Sequence, residues 1–302
     1  MTLLEALAHA AVEGLAAGLP VGESAHRTLA AVWLGTDASL VALRASAALG
    51  ACLVLALVAL PGLRSAAAMV VATAVGTLFR AVLAPWPEVP AGAGLGLVVT
   101  AVALLSTTAA PAPAPGEPRL GGAFAAGLAH GMAPLLGASP AGLAFMVLCW
   151  VGGGGWRGAR MALGMTAGTL ALELRRASPA SLATLGPTAA LVGLAVGGAT
   201  AAAAALAWRW LCRRRRSAWL GVWLLPLGLA ALAYDRALPE RAVSYQLSVV
   251  SGQPCTALRA DPAPAPERRG SCDAVALTDE TQKAGTPEAA EAGDDRKLNT
   301  EN

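Results

Sequence analysis

The chain has 302 residues, of which 56% are hydrophobic and 14% charged, and its mean hydropathy is +0.57. This composition is too apolar for an ordinary soluble domain of that length, so it predicts a polytopic membrane protein. Aromatic residues make up only 4% of the chain, which favours closely packed helices with small-residue faces over a channel lined by bulky rings. Residues 1–236 carry fifteen arginines and eight acidic residues, whereas residues 237–302 carry seven basic and eleven acidic residues. A basic membrane part is therefore followed by an acidic tail.

The amino-terminal segment, residues 1–20, is apolar but is interrupted by Glu5, His9 and Glu13 and ends at Pro20. It lacks the positively charged start of a cleavable signal, so we expect it to remain in the mature protein. Glu5 and His9 are four residues apart and share a helix face, which is typical of a local pair. Because its acids do not suit a simple span, we expect this segment to enter the membrane and turn back.

Apolar runs long enough to cross a bilayer, at roughly 20 residues each, recur along the chain. They lie at about 39–62, 65–84, 90–110, 178–208 and 217–235. The apolar stretch 139–174 is divided by four glycines at 152–155 and by Arg157 and Arg160, so we predict two shorter helices there. In all, we expect about six to seven spans.

The segment 119–138 carries His130 and Pro134 and stops in a Gly/Ser/Pro turn, which predicts a second re-entrant helix. It follows the proline-rich stretch 106–119, a semi-rigid connector between two halves, 1–110 and 119–236. Each half begins with an interrupted helix and continues into spanning helices. This order predicts an internal repeat whose two broken helices meet at a shared site near the middle of the membrane.

Arg209 and the run Arg213–Arg216 separate the last two spans. The positive-inside bias places this loop in the cytoplasm, where it would set topology and contact anionic lipid rather than nucleic acid. One further crossing then leaves residues 237–302 on the outer side. That tail is rich in Pro, Ala and acidic residues and poor in large hydrophobes, so we expect it to be disordered.

The five cysteines show no metal-ligand spacing. Cys52, Cys149 and Cys212 lie within or beside apolar runs, where a thiol behaves as a small hydrophobe. Cys255 and Cys272 are the candidates for a disulfide if the tail is exported, whereas the opposite topology would keep both thiols reduced.

The first motif is EGLAAGLPVGESAH, residues 13–26, which follows the pattern E-G-x-x-E-x-x-P-x-S-S-x-G-H without a gap. The matching residues are Glu13, Gly14, Pro20 and His26. The departures are Ala17 at the second glutamate, Gly22 and Glu23 at the serine pair, and Ala25 at the last glycine.

The second motif is GLAHGMAPLLGASPAGLA, residues 127–144, which aligns ungapped with G-x-x-Q-x-x-A-x-x-P-G-x-S-R-S-G-x-T. The matching residues are Gly127, Ala133, Gly137, Ser139 and Gly142. The departures are His130 at the glutamine, Leu136 at the proline, Pro140 at the arginine, Ala141 at the second serine and Ala144 at the threonine.

These two motifs resemble those of the undecaprenyl-diphosphate phosphatase family of the bacitracin-resistance type. Residues 191–232 are similar to the last two helices of that family and the basic loop between them. The resemblance covers roughly residues 5–235 and rests on the order and spacing of features. It implies an all-α membrane bundle with two re-entrant helical hairpins in an inverted repeat, located in the bacterial inner membrane. It also implies that the ligand is a polyprenyl diphosphate, hydrolysed to the monophosphate during recycling of the cell-wall lipid carrier. Nucleic acid is not an expected partner, and the oligomeric state is left open.

The resemblance also implies roles for individual residues. Glu13 would act as a base or metal ligand, and Ser24 or a water activated by His26 would attack phosphorus. Gly137 and Ser139 would bind phosphate together with backbone N–H groups. The simpler alternative for His26 is that it caps or anchors the following helix.

Several residues are candidate replacements for the missing motif groups. Glu23 is the candidate for the carboxylate absent at Ala17, and a solvated loop carboxylate is the alternative. Arg80 and Arg160 are candidates for the missing arginine, whose planar guanidinium would bind phosphate in a bidentate manner.

The presence of His130 leads to the prediction of a divalent metal, either Mg, Ca or Zn. If the two broken helices meet, Glu13, His26 and His130 would converge as a ligand set. A histidine that is simply hydrogen-bonded within a packed bundle is the alternative. For the whole chain, the alternatives to the phosphatase are a non-catalytic polyprenyl-phosphate binder or carrier, and a small transporter whose repeats merely resemble the family.

Overall fold

The fold is described from a computed structural model, which covers residues 3–34, 41–59, 89–114, 119–176 and 186–237 and a few helical positions between 70 and 82. These residues form helices and turns, with no strand among them, as the all-α prediction requires. Three predicted features lie outside the described residues: Arg80, most of the run 65–84, and the tail with Cys255 and Cys272.

The described part of the chain contains nine α-helices. They are α1 (Leu3–Gly18), α2 (Glu23–Leu34), α3 (Val41–Ala59), α4 (Pro90–Ser106), α5 (Leu120–Met132), α6 (Pro140–Trp150), α7 (Gly155–Arg176), α8 (Pro187–Arg213) and α9 (Ala218–Ala237). Short 3-10 turns follow α4 at Thr107–Ala109 and α5 at Ala133–Leu136.

Glycine and proline lie at several of the helix boundaries. α6 ends and α7 begins on either side of the glycine run, where Gly152 and Gly155 have φ angles of 81° and 73°, so the predicted division of 139–174 is confirmed. The predicted run 178–208 is displaced, because α8 begins at Pro187 and continues to Arg213. Proline is well suited to the first turn of a helix, where its missing N–H is not needed.

Four helices are long and apolar enough to cross a membrane. They contain Ala42–Ala59, Pro90–Ala109, Pro187–Arg213 and Ala218–Arg236. On α8 and α9, large apolar side chains such as Leu191, Leu206 and Trp223 are exposed, as a lipid-facing surface requires. The described helices are therefore compatible with a membrane bundle, while the six to seven predicted spans stay a prediction.

Small residues allow the helix backbones to approach closely. A Cβ atom added to Gly14 of α1 would overlap the carbonyl of Gly197 on α8, and one added to Gly18 would lie 2.6 Å from the carbonyl oxygen of Ala201. On the other side of α8, a Cβ at Gly197 would overlap the backbone of Ala47 on α3. Close contact at small residues is how helices associate in lipid, where burial against water supplies no driving force.

α4 and α9 also cross at glycine. A Cβ added to Gly94 would lie 2.8 Å from the carbonyl oxygen of Gly228, and a Cβ added to Gly228 would lie 2.8 Å from that of Gly94. The contact is therefore reciprocal between these two helices.

Candidate functional site

The two motif segments meet at the turns that follow α1 and precede α6. Each turn contains a glycine with a left-handed backbone, Gly22 with φ 86° and Gly137 with φ 61°, a conformation that other residues adopt only with strain. A Cβ added to Gly142 would lie 3.1 Å from the carbonyl oxygen of Pro20, and one added to Gly22 would lie 3.8 Å from the backbone nitrogen of Ser139. The two turns are therefore in contact, whereas the re-entrant character of the two segments stays a prediction.

A pocket of about 120 Å³ lies where the turns meet. The first turn and α2 contribute Glu23, Ser24, Arg27 and Thr28; the second turn and α6 contribute Gly137, Ser139 and Pro140; α7 contributes Thr166, Thr169 and Glu173. The pocket thus offers hydroxyl, carboxylate and guanidinium groups inside a bundle that is otherwise apolar. We call it the motif pocket.

Arg27 supplies the positive charge of the motif pocket. Its Nη1 lies 3.4 Å from Glu23 Oε1 and 3.6 Å from Glu13 Oε1. The Glu13 side chain is only 3% exposed, whereas that of Arg27 is 23% exposed and lines the pocket. Burying a carboxylate in such surroundings is costly unless a cation lies beside it, so Arg27 compensates Glu13 and connects it to the pocket.

The sequence-based prediction missed Arg27. A signal for it was present, because Arg27 follows the motif histidine directly and lies one helical turn after Glu23. The predicted substitute Arg160 lies on α7 and does not line the pocket. The other candidate, Arg80, is outside the described residues.

For each charged group that is missing from the motifs, a residue of the same charge lines the motif pocket. Ala17, at the position of the second glutamate, lines the pocket together with Glu23. Pro140, at the position of the arginine, lines it together with Arg27. The negative and positive groups expected of the motifs are therefore both present, on different residues of the first segment.

Ser139 is held by hydrogen bonds at the start of α6. Its Oγ accepts a hydrogen bond of 3.1 Å from the Gly142 N–H, which is an N-cap interaction. Its own N–H donates to Thr100 Oγ1 at 2.8 Å, and the Thr100 hydroxyl donates to the Gly96 carbonyl at 2.7 Å. Thr100 therefore connects the second turn to α4.

Valine in place of Thr100 is expected to lower the free energy of unfolding by about 1–3 kcal/mol, because the buried N–H of Ser139 loses its acceptor. The matched control is Thr200→Val on α8, since the Thr200 hydroxyl donates to Val196 and Gly197 of its own helix. We expect the control to change stability by about 0.5 kcal/mol or less. Unfolding of the purified protein in detergent micelles measures both, and equal losses would contradict the proposed role of Thr100.

The two motif histidines are not on the pocket wall. The His26 Nδ1–H donates to the Gly22 carbonyl at 2.8 Å, which places the imidazole against its own turn. His130 is fully buried on α5, at 0% exposure. Four predicted site residues therefore line the pocket: Ser24, Gly137, Ser139 and Glu23. Glu13 is connected to them through its ion pair with Arg27, and the two histidines are not part of the lining.

The predicted metal ligands were Glu13, His26 and His130. Within the described ranges, no group of three or more His, Cys, Asp and Glu side chains is placed to hold a metal ion. The described donors thus do not assemble the predicted set, and a divalent metal stays a prediction.

Comparison with known proteins does not assign the chain to a family. No protein-family model matches the sequence, and no curated protein matches it. The likeness to the undecaprenyl-diphosphate phosphatases therefore rests on the two motifs and on the order of features along the chain.

Proposed function

We propose that this chain is a membrane phosphatase of the undecaprenyl-diphosphate phosphatase type, which hydrolyses a polyprenyl diphosphate to the monophosphate at the motif pocket. The observation that carries the proposal is that Glu23 and Arg27 line one pocket together with Ala17 and Pro140, the positions where the motif charges are missing.

The pocket offers several groups that bind phosphate. Arg27 lines the pocket, and its guanidinium is a planar fork of five N–H donors, a geometry that suits phosphate oxygens. The first residues of α2 and α6 also line the pocket, so the positive ends of two helix dipoles are near the bound group. Ser24 and Ser139 add hydroxyl groups.

The proposed reaction consumes one water and releases inorganic phosphate. An oxygen nucleophile attacks the terminal phosphorus, the bond from that phosphorus to the bridging oxygen breaks, and the lipid monophosphate leaves with the bridging oxygen. Ser24 lines the pocket and is the candidate nucleophile, with a bound water as the alternative. If Ser24 attacks, water then hydrolyses the phosphoserine.

Glu23 and Glu13 have separate roles in this reaction. Glu23, next to Ser24 on the pocket wall, accepts the proton of the attacking oxygen. Arg27 stabilises the negative charge that spreads over the transferred phosphoryl oxygens. Glu13 does not line the pocket and acts through Arg27, which makes it a positioning residue.

The proposed setting is an inverted repeat in the bacterial inner membrane. The helix pairs α1–α2 and α5–α6 are the proposed re-entrant hairpins, and α4 and α9, the last helix of each proposed half, cross closely at Gly94 and Gly228. The motif pocket contacts the beginning of α4 at Gly92, whereas the arginine-rich loop lies near the other end of α4. With Arg213–Arg216 in the cytoplasm, the pocket opens towards the outer side.

Phosphate release from a long-chain polyprenyl diphosphate, with and without divalent metal, tests the proposal on the full-length protein. We expect the wild type to turn over and Glu23→Gln to reduce turnover by about a hundredfold or more, since the base is lost. The matched control is Glu5→Gln at the start of α1, which leaves the pocket lining unchanged. A wild type that releases no phosphate under any metal condition would contradict the proposal.

A non-catalytic binder of polyprenyl phosphates is the second candidate function. It is favoured by the absence of a guanidinium at Pro140 and by the hydrogen bond that the Ser139 Oγ already accepts from Gly142. The same protein preparation distinguishes the two, because a binder retains affinity for the lipid without releasing phosphate.

A further inference from the structure

A second cavity, of about 270 Å³, lies at the other end of the bundle. It is bordered by the 3-10 turn after α4, the end of α6, the start of α7 and the loop between α8 and α9. The polar groups on its wall are those of Thr107, Thr108, Arg213, Arg215 and Ser217. We call it the basic cavity.

The basic cavity and the motif pocket are separate places. The motif pocket contacts the beginnings of α4 and α6, at Gly92 and Ser139, whereas the basic cavity contacts the ends of those helices, at Thr107 and Cys149. At 1.5 Å per residue, the 17 residues of α4 separate its two ends by about 25 Å.

The arginines around the basic cavity differ in their contacts. Three of them place the guanidinium over an indole ring, as anchors at a membrane interface commonly do. These pairs are Arg209 with Trp156 at 5.7 Å, Arg214 with Trp210 at 5.8 Å and Arg216 with Trp219 at 5.8 Å. Arg213 and Arg215 line the cavity instead.

Arg215 occupies a backbone position that favours glycine. The N–H of Arg216 donates to the carbonyl of Leu211 at 2.8 Å, and the N–H of Arg215 donates to that of Cys212 at 3.1 Å. These two bonds form the Schellman motif that ends α8, in which the left-handed residue is usually glycine. Arg215 has φ 54°, so an arginine occupies a backbone position whose free-energy cost glycine would avoid. Residues in such strained positions cluster at functional sites.

We propose that the basic cavity binds a phosphate-bearing anion through Arg213 and Arg215. Two arginines that line one cavity suit the oxygens of a phosphate, because each guanidinium is a planar fork of donors. The Ser217 hydroxyl lines the same cavity, 3.3 Å from Cys212 Sγ, whereas the hydroxyls of Thr107 and Thr108 donate to the carbonyls of Leu104 and Leu105. This goes beyond a general effect of positive charge on topology, because only two of the loop's arginines take part. The same chemistry is found in a lipid head group and in soluble phosphate, and the two sources are separated by experiment.

The test uses full-length protein in micelles of an uncharged detergent at about 0.15 M salt, where diffuse attraction is largely screened. Calorimetric titrations use inorganic phosphate in one arm and a short-chain phosphatidylglycerol in the other. Each arm compares the wild type with Arg215→Gly and Arg213→Gln. Arg214→Gln is the matched control, because Arg214 lies over Trp210 and does not line the cavity.

We expect Arg215→Gly and Arg213→Gln to weaken binding about tenfold or more in the arm where the wild type binds, and Arg214→Gln to change it by about twofold or less. Arg215→Gly also removes the strain of the left-handed residue, so its thermal unfolding midpoint should be equal to or above that of the wild type. A loss of binding with retained stability cannot then be attributed to misfolding. Binding in the lipid arm alone identifies a head group, and binding of inorganic phosphate identifies a soluble anion.

Three results would overturn the proposal. One is a wild type that binds neither probe in a saturable manner, and another is an Arg214→Gln variant that weakens binding as much as Arg215→Gly. The third is binding that Arg27→Gln abolishes and Arg215→Gly leaves intact, since the anion would then occupy the motif pocket. Only this third result would favour the proposed phosphatase site, so the two proposals fail separately.

Discussion

Glutamine in place of Arg27 is expected to weaken the binding of a polyprenyl diphosphate by about a hundredfold, because the proposed phosphate ligand of the motif pocket is lost. The same change should lower the free energy of unfolding by about 2–3 kcal/mol, since it leaves the carboxylates of Glu13 and Glu23 without the cation beside them. Partial exposure of the Arg27 side chain keeps this loss below that of a fully buried pair. Lipid binding and unfolding in detergent micelles are the two measurements.

Arg160→Gln is the matched control for Arg27→Gln. Both remove one guanidinium from a helix of the bundle, but Arg160 does not line the pocket. Arg27→Lys adds a second comparison, because it keeps the charge and loses the planar fork, and it should restore stability more fully than binding. If phosphate binding is lost in Arg160→Gln and retained in Arg27→Gln, then Arg160 and not Arg27 replaces the motif arginine.

Alanine in place of Gly96 is expected to lower the free energy of unfolding by about 1–3 kcal/mol and to reduce phosphate release. A Cβ at Gly96 would overlap the carbonyl of Gly137, the left-handed residue of the second turn. Because backbone rather than a flexible side chain fills the space, the turn must move, and Ser139 moves with it. The hydrogen bond from Ser139 to Thr100 would be disturbed at the same time.

Gly121→Ala is the control for Gly96→Ala. A Cβ at Gly121, also in a helix, would meet no atom within 4 Å, and alanine is the better helix former. Its unfolding midpoint should therefore be unchanged or slightly raised, with phosphate release unaffected. If Gly96→Ala behaves like Gly121→Ala in unfolding and in phosphate release, the close contact between α4 and the second turn is not a feature of the protein in solution.

Local sequence signals were sufficient to predict much of the fold. The proline and glycine positions predicted the breaks after α1, before α6 and between α6 and α7, and apolar length predicted α3, α4 and α9 to within a few residues. These features depend on backbone conformation and hydropathy near each residue, which can be read along the chain. The start of α8 was predicted too early, because apolar composition continues ahead of Pro187 and does not mark the proline as its first turn.

The candidate site was predictable only in part, since it depends on which helices pack together. The family resemblance implied that Ser24 and Ser139 share a site, and both residues line the pocket. It did not predict Arg27, which has no counterpart among the fixed letters of the motif. Nor did it predict that His26 would turn to the Gly22 carbonyl, because spacing along a helix does not determine a side-chain rotamer.

The most direct test of the central claim is an experimental structure of the full-length protein in a lipid nanodisc with a polyprenyl diphosphate bound. We expect density for the diphosphate in the motif pocket, with phosphate oxygens within about 3 Å of the Arg27 guanidinium and near the N–H groups at the start of α6. A diphosphate bound away from Arg27, or two turns that do not meet around the head group, would contradict this claim.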